Sequence, residues 1–185
     1  MVRYSAAIAI GMAGPTEAFG ESTLVTTNLA EALGQSADAQ GAGGNGWNAE
    51  IADSYALRAA QTMLKLASTR NEVVDLSGAQ NALVAGVGDK RSEIQILSGQ
   101  TLAYLDSPGA QRAIAGMALD TGNAAEVRIP AFESLATSAK LNANMLPETV
   151  VDSIYELISS DETDPALRSA AAAAYGALNL SLIHI

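Results

Sequence analysis

Residues Asp164 to Leu178 read DPALRSAAAAAYGAL, and this stretch decides how the chain folds. Asp164 suits a helix N-cap, because its carboxylate can accept the unpaired N–H groups of the first turn. Pro165 suits the first helical position, where a missing N–H costs nothing. Leu167, Ala171, Tyr175 and Leu178 then recur on one face of a helix. Ala170 to Ala174 are small enough to let another backbone lie close. The opening of the chain repeats the pattern: VRYSAAIAIG, Val2 to Gly11, aligns with LRSAAAAAYG, Leu167 to Gly176, 165 positions later. Arg3 falls on Arg168, Ala6 on Ala171, Ile10 on Tyr175 and Gly11 on Gly176.

Further copies lie between these two. Taking the small residue at the middle of each helix as an anchor gives Ala6, Ala60, Ser98, Ala131 and Ala171, spaced by 54, 38, 33 and 40 residues. Four residues before the anchors stand Val2, Ala56, Ile94, Val127 and Leu167; four residues after stand Ile10, Leu64, Leu102, Leu135 and Tyr175. Arg lies three before the anchor in Arg3, Arg128 and Arg168, Gln95 replaces it once, and Arg58 is displaced by one. Recurring at equivalent places, these side chains are expected to bond the last carbonyls of neighbouring helices or nearby acids. Second helices are expected over 21–34, 73–87, 108–120 and 147–160, with Gly78 a weak point and Ser107 a cap before Pro108. Breakers fall at Gly14-Pro15, Gly88-Asp89, Thr121 to Asn123 and Asp161 to Pro165. Sustained alternation of period two is absent from the sequence, so the expected fold is all-α with about nine helices.

The run EVRxxAxxxLxxxA from Glu126 to Ala139, together with DPALRSAAAAAYGAL, resembles the first helices of HEAT-type repeats, the α-solenoid family of HEAT-like and armadillo-like arrays. The resemblance covers nearly all of residues 1–180, as helix pairs 2–34, 50–87, 92–120 and 124–160 and a lone helix 164–180. It implies one array of stacked antiparallel helix pairs. Such arrays require polar outer faces on their terminal repeats. Val2, Ala6, Ile8 and Ile10 in the first helix, and Leu167, Ala171 and Tyr175 in the last, leave both ends apolar. The chain is therefore expected to be a fragment of a longer protein that associates or frays at its ends.

A Gly-rich insert, residues 35–49, accounts for the longest spacing and is expected to be a flexible loop. Its Gly41, Gly43 and Gly46 match GxGxxG, but a dinucleotide site needs a strand before that motif, and here a helix precedes it. Trp47, the sole Trp, is either tucked back on the repeats or exposed as a binding anchor. The last six residues, LSLIHI from Leu180, resemble a translated sequencing-library adapter, so 181–185 are expected to be a non-native tail.

Composition narrows the function. Ten Lys and Arg against twenty Asp and Glu give a net charge of −10, which opposes nucleic acid and anionic membrane surfaces as partners. The apolar runs fall short of a membrane-spanning helix, and the match of the N-terminus to an internal helix argues against a signal peptide. With no Cys, and with His184 alone in the doubtful tail, Ser-His-Asp and Cys-His triads and His-based metal sites are excluded.

The densest cluster of titratable groups is Glu148, Asp152 and Glu156 at helical i, i+4 and i+8, followed by Asp161, Glu162 and Asp164, with no Lys or Arg between positions 141 and 167. Val150, Ile154, Leu157 and Ile158 form the opposite stripe. The acidic stripe reads as a solvated face, as a docking surface for a basic segment anchored by Tyr155, or as catalytic or Ca²⁺-binding carboxylates. The last is disfavoured because residues along a rigid helix do not converge on one point. Candidate partner-binding residues are therefore Asp152, Tyr155, Glu156 and Trp47. The expected function is a non-enzymatic protein–protein interaction scaffold without a cofactor; the alternative is the solenoid part of an enzyme or enzyme chaperone, as in bilin-lyase-like HEAT proteins.

Overall fold

The computed structural model describes residues 2–36 and 49–180, apart from the side chain of Leu180. Among these residues every regular element is helical. The chain divides into two compact units, Met1–Thr101 and Leu102–Ile185. The described residues contain the nine α-helices that the periodicity predicts.

The first unit holds α1 (Val2–Ala13), α2 (Ser22–Leu33), α3 (Ala49–Ser68), a 3-10 turn (Ser77–Ala79) that runs into α4 (Gln80–Gly86), and all but the last residue of α5 (Ser92–Leu102). Helix α1 packs on α2 and α3, while α2 packs on α3 and α4. Leu29, Leu33, Met63, Leu66 and Leu83 are fully buried. Helix α1 stops at Gly14, whose φ of +67° suits a residue without a Cβ. The Gly14 amide there donates to the carbonyls of Ile10 and Gly11 at 3.3 and 3.1 Å. Gly11 lets α1 lie close to α3, since a Cβ on it would lie 2.5 Å from Thr62 Cγ2.

The expected helix over 73–87 starts later than its apolar periodicity suggests. Val73 and Val74 donate their amides to Asn71 Oδ1 at 3.1 and 2.9 Å. Asp75 takes the amide and hydroxyl of Ser77 at 2.8 and 2.6 Å. These short side-chain bonds compete with the helical ladder and hold residues 71–76 outside it. Val74 and Leu76 are still buried, so their apolar character is used from a loop. Arg91 secures the next turn. Its guanidinium donates to Asp89 Oδ1 and Oδ2 at 2.9 and 2.7 Å, to Asp53 Oδ1 at 2.7 Å and to the Gln35 carbonyl at 3.1 Å.

The second unit holds α6 (Pro108–Leu119), α7 (Ala125–Asn142), α8 (Glu148–Ser159) and α9 (Pro165–Leu180). Helix α6 packs on α7, α8 on α9, α7 on α9, and α6 touches α8. The expected caps form. Ser107 Oγ accepts from the Ala110 amide at 3.4 Å, and Asp164 Oδ1 accepts from Ala166 and Leu167 at 2.9 and 3.1 Å. Gln111, fully buried, fixes the α7–α8 connection. It donates to Ser138 Oγ at 3.2 Å and the Ala143 carbonyl at 3.0 Å, and accepts from the Met145 amide at 2.7 Å.

The two helix pairs of this unit share two turn hydrogen bonds at an offset of 40 residues and a similar Arg contact after each. Asn123 reaches the Met117 carbonyl at 3.0 Å, and Thr163 reaches Leu157 at 2.7 Å. Asp120 and Ser160 each accept the amide two residues on, from Gly122 and Glu162. Arg128 donates to the Ala118 carbonyl at 2.9 Å, and Arg168 to Ser160 at 2.7 Å, in each case at the end of the preceding helix. Gln95 does likewise in the first unit, reaching the Val87 carbonyl at 3.3 Å. Arg3 differs: it pairs with Glu31 at 2.6 Å.

Four of the five anchors, Ala60, Ser98, Ala131 and Ala171, are fully buried. Ala6 is not. The face that carries it in α1 is exposed, with Val2 at 85% where its counterpart Leu167 is at 5%.

Candidate interaction surface

Helix α8 is amphipathic in the sense its sequence predicts. Pro147 precedes it in an extended conformation, with φ −60° and ψ 146°, and Ile154 is its fully buried residue. Val150, Leu157 and Ile158 are half-buried beside Ile154, whereas Glu148, Asp152 and Glu156 are all exposed. None of the ion pairs among the described residues involves these three carboxylates. They stand one turn apart, so each repels the next through solvent.

Tyr155 borders the stripe and is 55% exposed. Its ring stacks at a tilt on Tyr175 of α9, with centroids 5.7 Å apart and planes at 40°. Reading Tyr175 as part of the core-facing stripe missed this pairing; the ring is half-buried and supports Tyr155 from below. A supported, exposed phenol beside carboxylates offers both a flat face and negative charge to a cationic side chain. The other candidate anchor, Trp47, lies outside the described residues, as do the GxGxxG glycines and residues 181–185.

A second feature lies between the α6–α7 and α8–α9 turns. It is an open cleft of about 400 Å³, lined among others by Thr121, Arg128, Ser160, Glu162 and Asp164. Arg128 Nη2 is buried there without a hydrogen-bond partner. Asp164 is occupied as the cap of α9 and Ser160 by the Glu162 amide, so the polar groups of the cleft mostly serve the turns themselves. Arg128 and Arg168 are structural in the same way, closing the ends of preceding helices. Among the described residues, His, Cys, Asp and Glu form no group of three or more able to hold a metal ion. No helix among them is long and apolar enough to cross a membrane.

Searches against protein-family models, curated proteins and solved structures find no match to this chain.

Proposed function

We propose that the chain is a HEAT-like α-solenoid segment serving as a non-enzymatic protein-binding scaffold, and that α8 bears the surface on which a basic segment of a partner lies. The repeat reading is supported by the two turn hydrogen bonds that α6–α7 and α8–α9 share at an offset of 40 residues and by the shared role of Gln95, Arg128 and Arg168. Stacked helix pairs of this kind leave extended surfaces for partners.

One observation carries the choice of surface: Glu148, Asp152 and Glu156 are exposed and unpaired among the described residues, beside an exposed tyrosine braced by a second ring. Like charges at i, i+4 cost roughly 0.2–0.5 kcal/mol per pair in the free protein. A partner's Lys or Arg side chains relieve that repulsion, and an Arg guanidinium also stacks on a phenol face. Encounter is then steered by charge and weakens as salt screens it.

Fluorescence anisotropy with a labelled Lys/Arg-rich peptide tests this reading. The wild-type chain should bind with affinity that falls as salt rises. Reversing the stripe with Asp152→Lys and Glu156→Lys should weaken binding at least about tenfold and flatten the salt dependence while α8 stays folded. Binding unchanged by the double reversal would leave the stripe as a solvated face only.

A further inference from the structure

The turn between α7 and α8 holds one residue in a backbone conformation that its side chain disfavours. Ala143 ends α7 with φ 62° and ψ −177°, a region that only glycine enters freely. The other non-glycine residue described with positive φ is Arg70, at 50°. There the backbone closes α3 on itself: the Arg70 amide donates to Ala67 and the Asn71 amide to Leu66, both at 2.9 Å. Ala143 is held instead by side chains on either flank. Asn142, one residue before it, donates to the carbonyls of Ala103 and Leu105 at 3.4 and 3.2 Å. On the other flank the fully buried Gln111 grips the Ala143 carbonyl at 3.0 Å and the Met145 amide at 2.7 Å, with Ser138 Oγ steadying its side chain. Anchors on both flanks overdetermine the residue between them, which is how a disfavoured conformation persists.

The helix that follows is held unevenly. Its last turn is tied twice: Thr163 Oγ1 donates to the Leu157 carbonyl at 2.7 Å, and Arg168 Nη2 to the carbonyls of Ser160 and Thr163 at 2.7 and 3.3 Å. Its first turn has no side-chain cap. Glu148 and Thr149 are exposed there, Val150 and Val151 are half-buried, and the fully buried Ile154 comes only in the second turn. In the connection itself Leu146 is buried while Ala143 and Pro147 are exposed. Few apolar contacts therefore oppose release of this end.

We propose that residues 143–147 and the first turn of α8 form a sprung latch, with Gln111 as the catch and Ala143 as the spring. When Gln111 releases the Ala143 carbonyl and the Met145 amide, Ala143 returns to an ordinary φ. The start of α8 then swings while its end stays tied to α9 through Arg168. That motion carries Glu148 away from Asp152 and Glu156, so it controls whether the three carboxylates stand in line. Gln111 acts on that surface from the core, as a positioning residue. The latch belongs to the free chain, so it and the binding of a basic segment fail separately.

Native-state amide exchange on the whole chain, corrected for intrinsic rates, tests it. In the wild type the Met145 and Val151 amides should exchange at least about tenfold faster than those of Leu157 and Leu135, with little dependence on denaturant, because they open locally. Ala143→Gly relieves the strain at an exposed position and should slow both amides at least about threefold. Gln111→Met is close in size but cannot grip both groups, so it frees Ala143 to relax. Adding Ala143→Gly to that variant should then change exchange at Val151 by less than about twofold. Gln111→Ala takes its place if circular dichroism shows the Met variant unfolded. Met145 and Val151 opening only together with Leu135, no slowing in Ala143→Gly, or equal slowing with and without Gln111 would overturn the proposal.

Discussion

Arg91 joins more separate parts of its unit than any residue in the sequence pattern suggested, tying Asp89, Asp53 and the Gln35 carbonyl to one guanidinium. Its hydrogen bond holds the Asp89 carboxyl below its ordinary value of 3.8, against the opposing effect of partial burial. A carboxylate lowered in the folded state adds stability that is fully present above its unfolded pKa, near pH 4. That contribution is lost as pH falls through the lower folded value. Asp89→Asn should therefore be less stable than wild type at pH 7, and the gap should begin to narrow only below about pH 4 in denaturant titrations. A gap that does not narrow at all between about pH 4 and pH 2 would assign the effect to hydrogen-bond geometry instead. Asp75, lowered by its bonds to the Ser77 hydroxyl and amide, follows the same sign. Neither network was legible beforehand, because spacing along the chain does not say which turn lies opposite which carboxylate.

Helices were legible where caps and periodicity agreed. DPALR from Asp164 starts α9 with the two amide bonds its composition implies, and Ser107-Pro108 starts α6. The late start of α4 was hidden because Val73, Val74 and Leu76 have helical spacing while Asn71 and Asp75 capture the local amides. Gly11 and Gly176 align in sequence but not in environment, and this difference is measurable. Gly11→Ala drives a methyl against Thr62 and should cost about 1–3 kcal/mol. Gly176→Ala meets nothing within 4 Å and should gain up to about 1 kcal/mol from helix propensity. Equilibrium unfolding in dilute solution separates them, and equal effects of one sign would contradict the packing described for α1 and α3.

At the scale of the whole molecule, an all-helical chain was readable from the anchors, whereas the side each helix buries was not. Periodicity marks Val2, Ala6 and Ile10 as a face equivalent to Leu167, Ala171 and Tyr175, but burial depends on which helix lies alongside. The acidic stripe of α8 was legible because charge and helical spacing coincide; its tyrosine support was not, since Tyr155 and Tyr175 meet across two helices. The central claim is that α1 and α9 share one sequence pattern yet bury different sides of it. Because the chain has no Cys, a single introduced thiol reports on its own position alone. Labelling rates in dilute solution should be fast for Ala6→Cys and Ala172→Cys, and at least about tenfold slower for Ala7→Cys and Ala171→Cys, which react only when the structure opens. Ala6→Cys reacting as slowly as Ala171→Cys, or Ala172→Cys as slowly as Ala7→Cys, would contradict it.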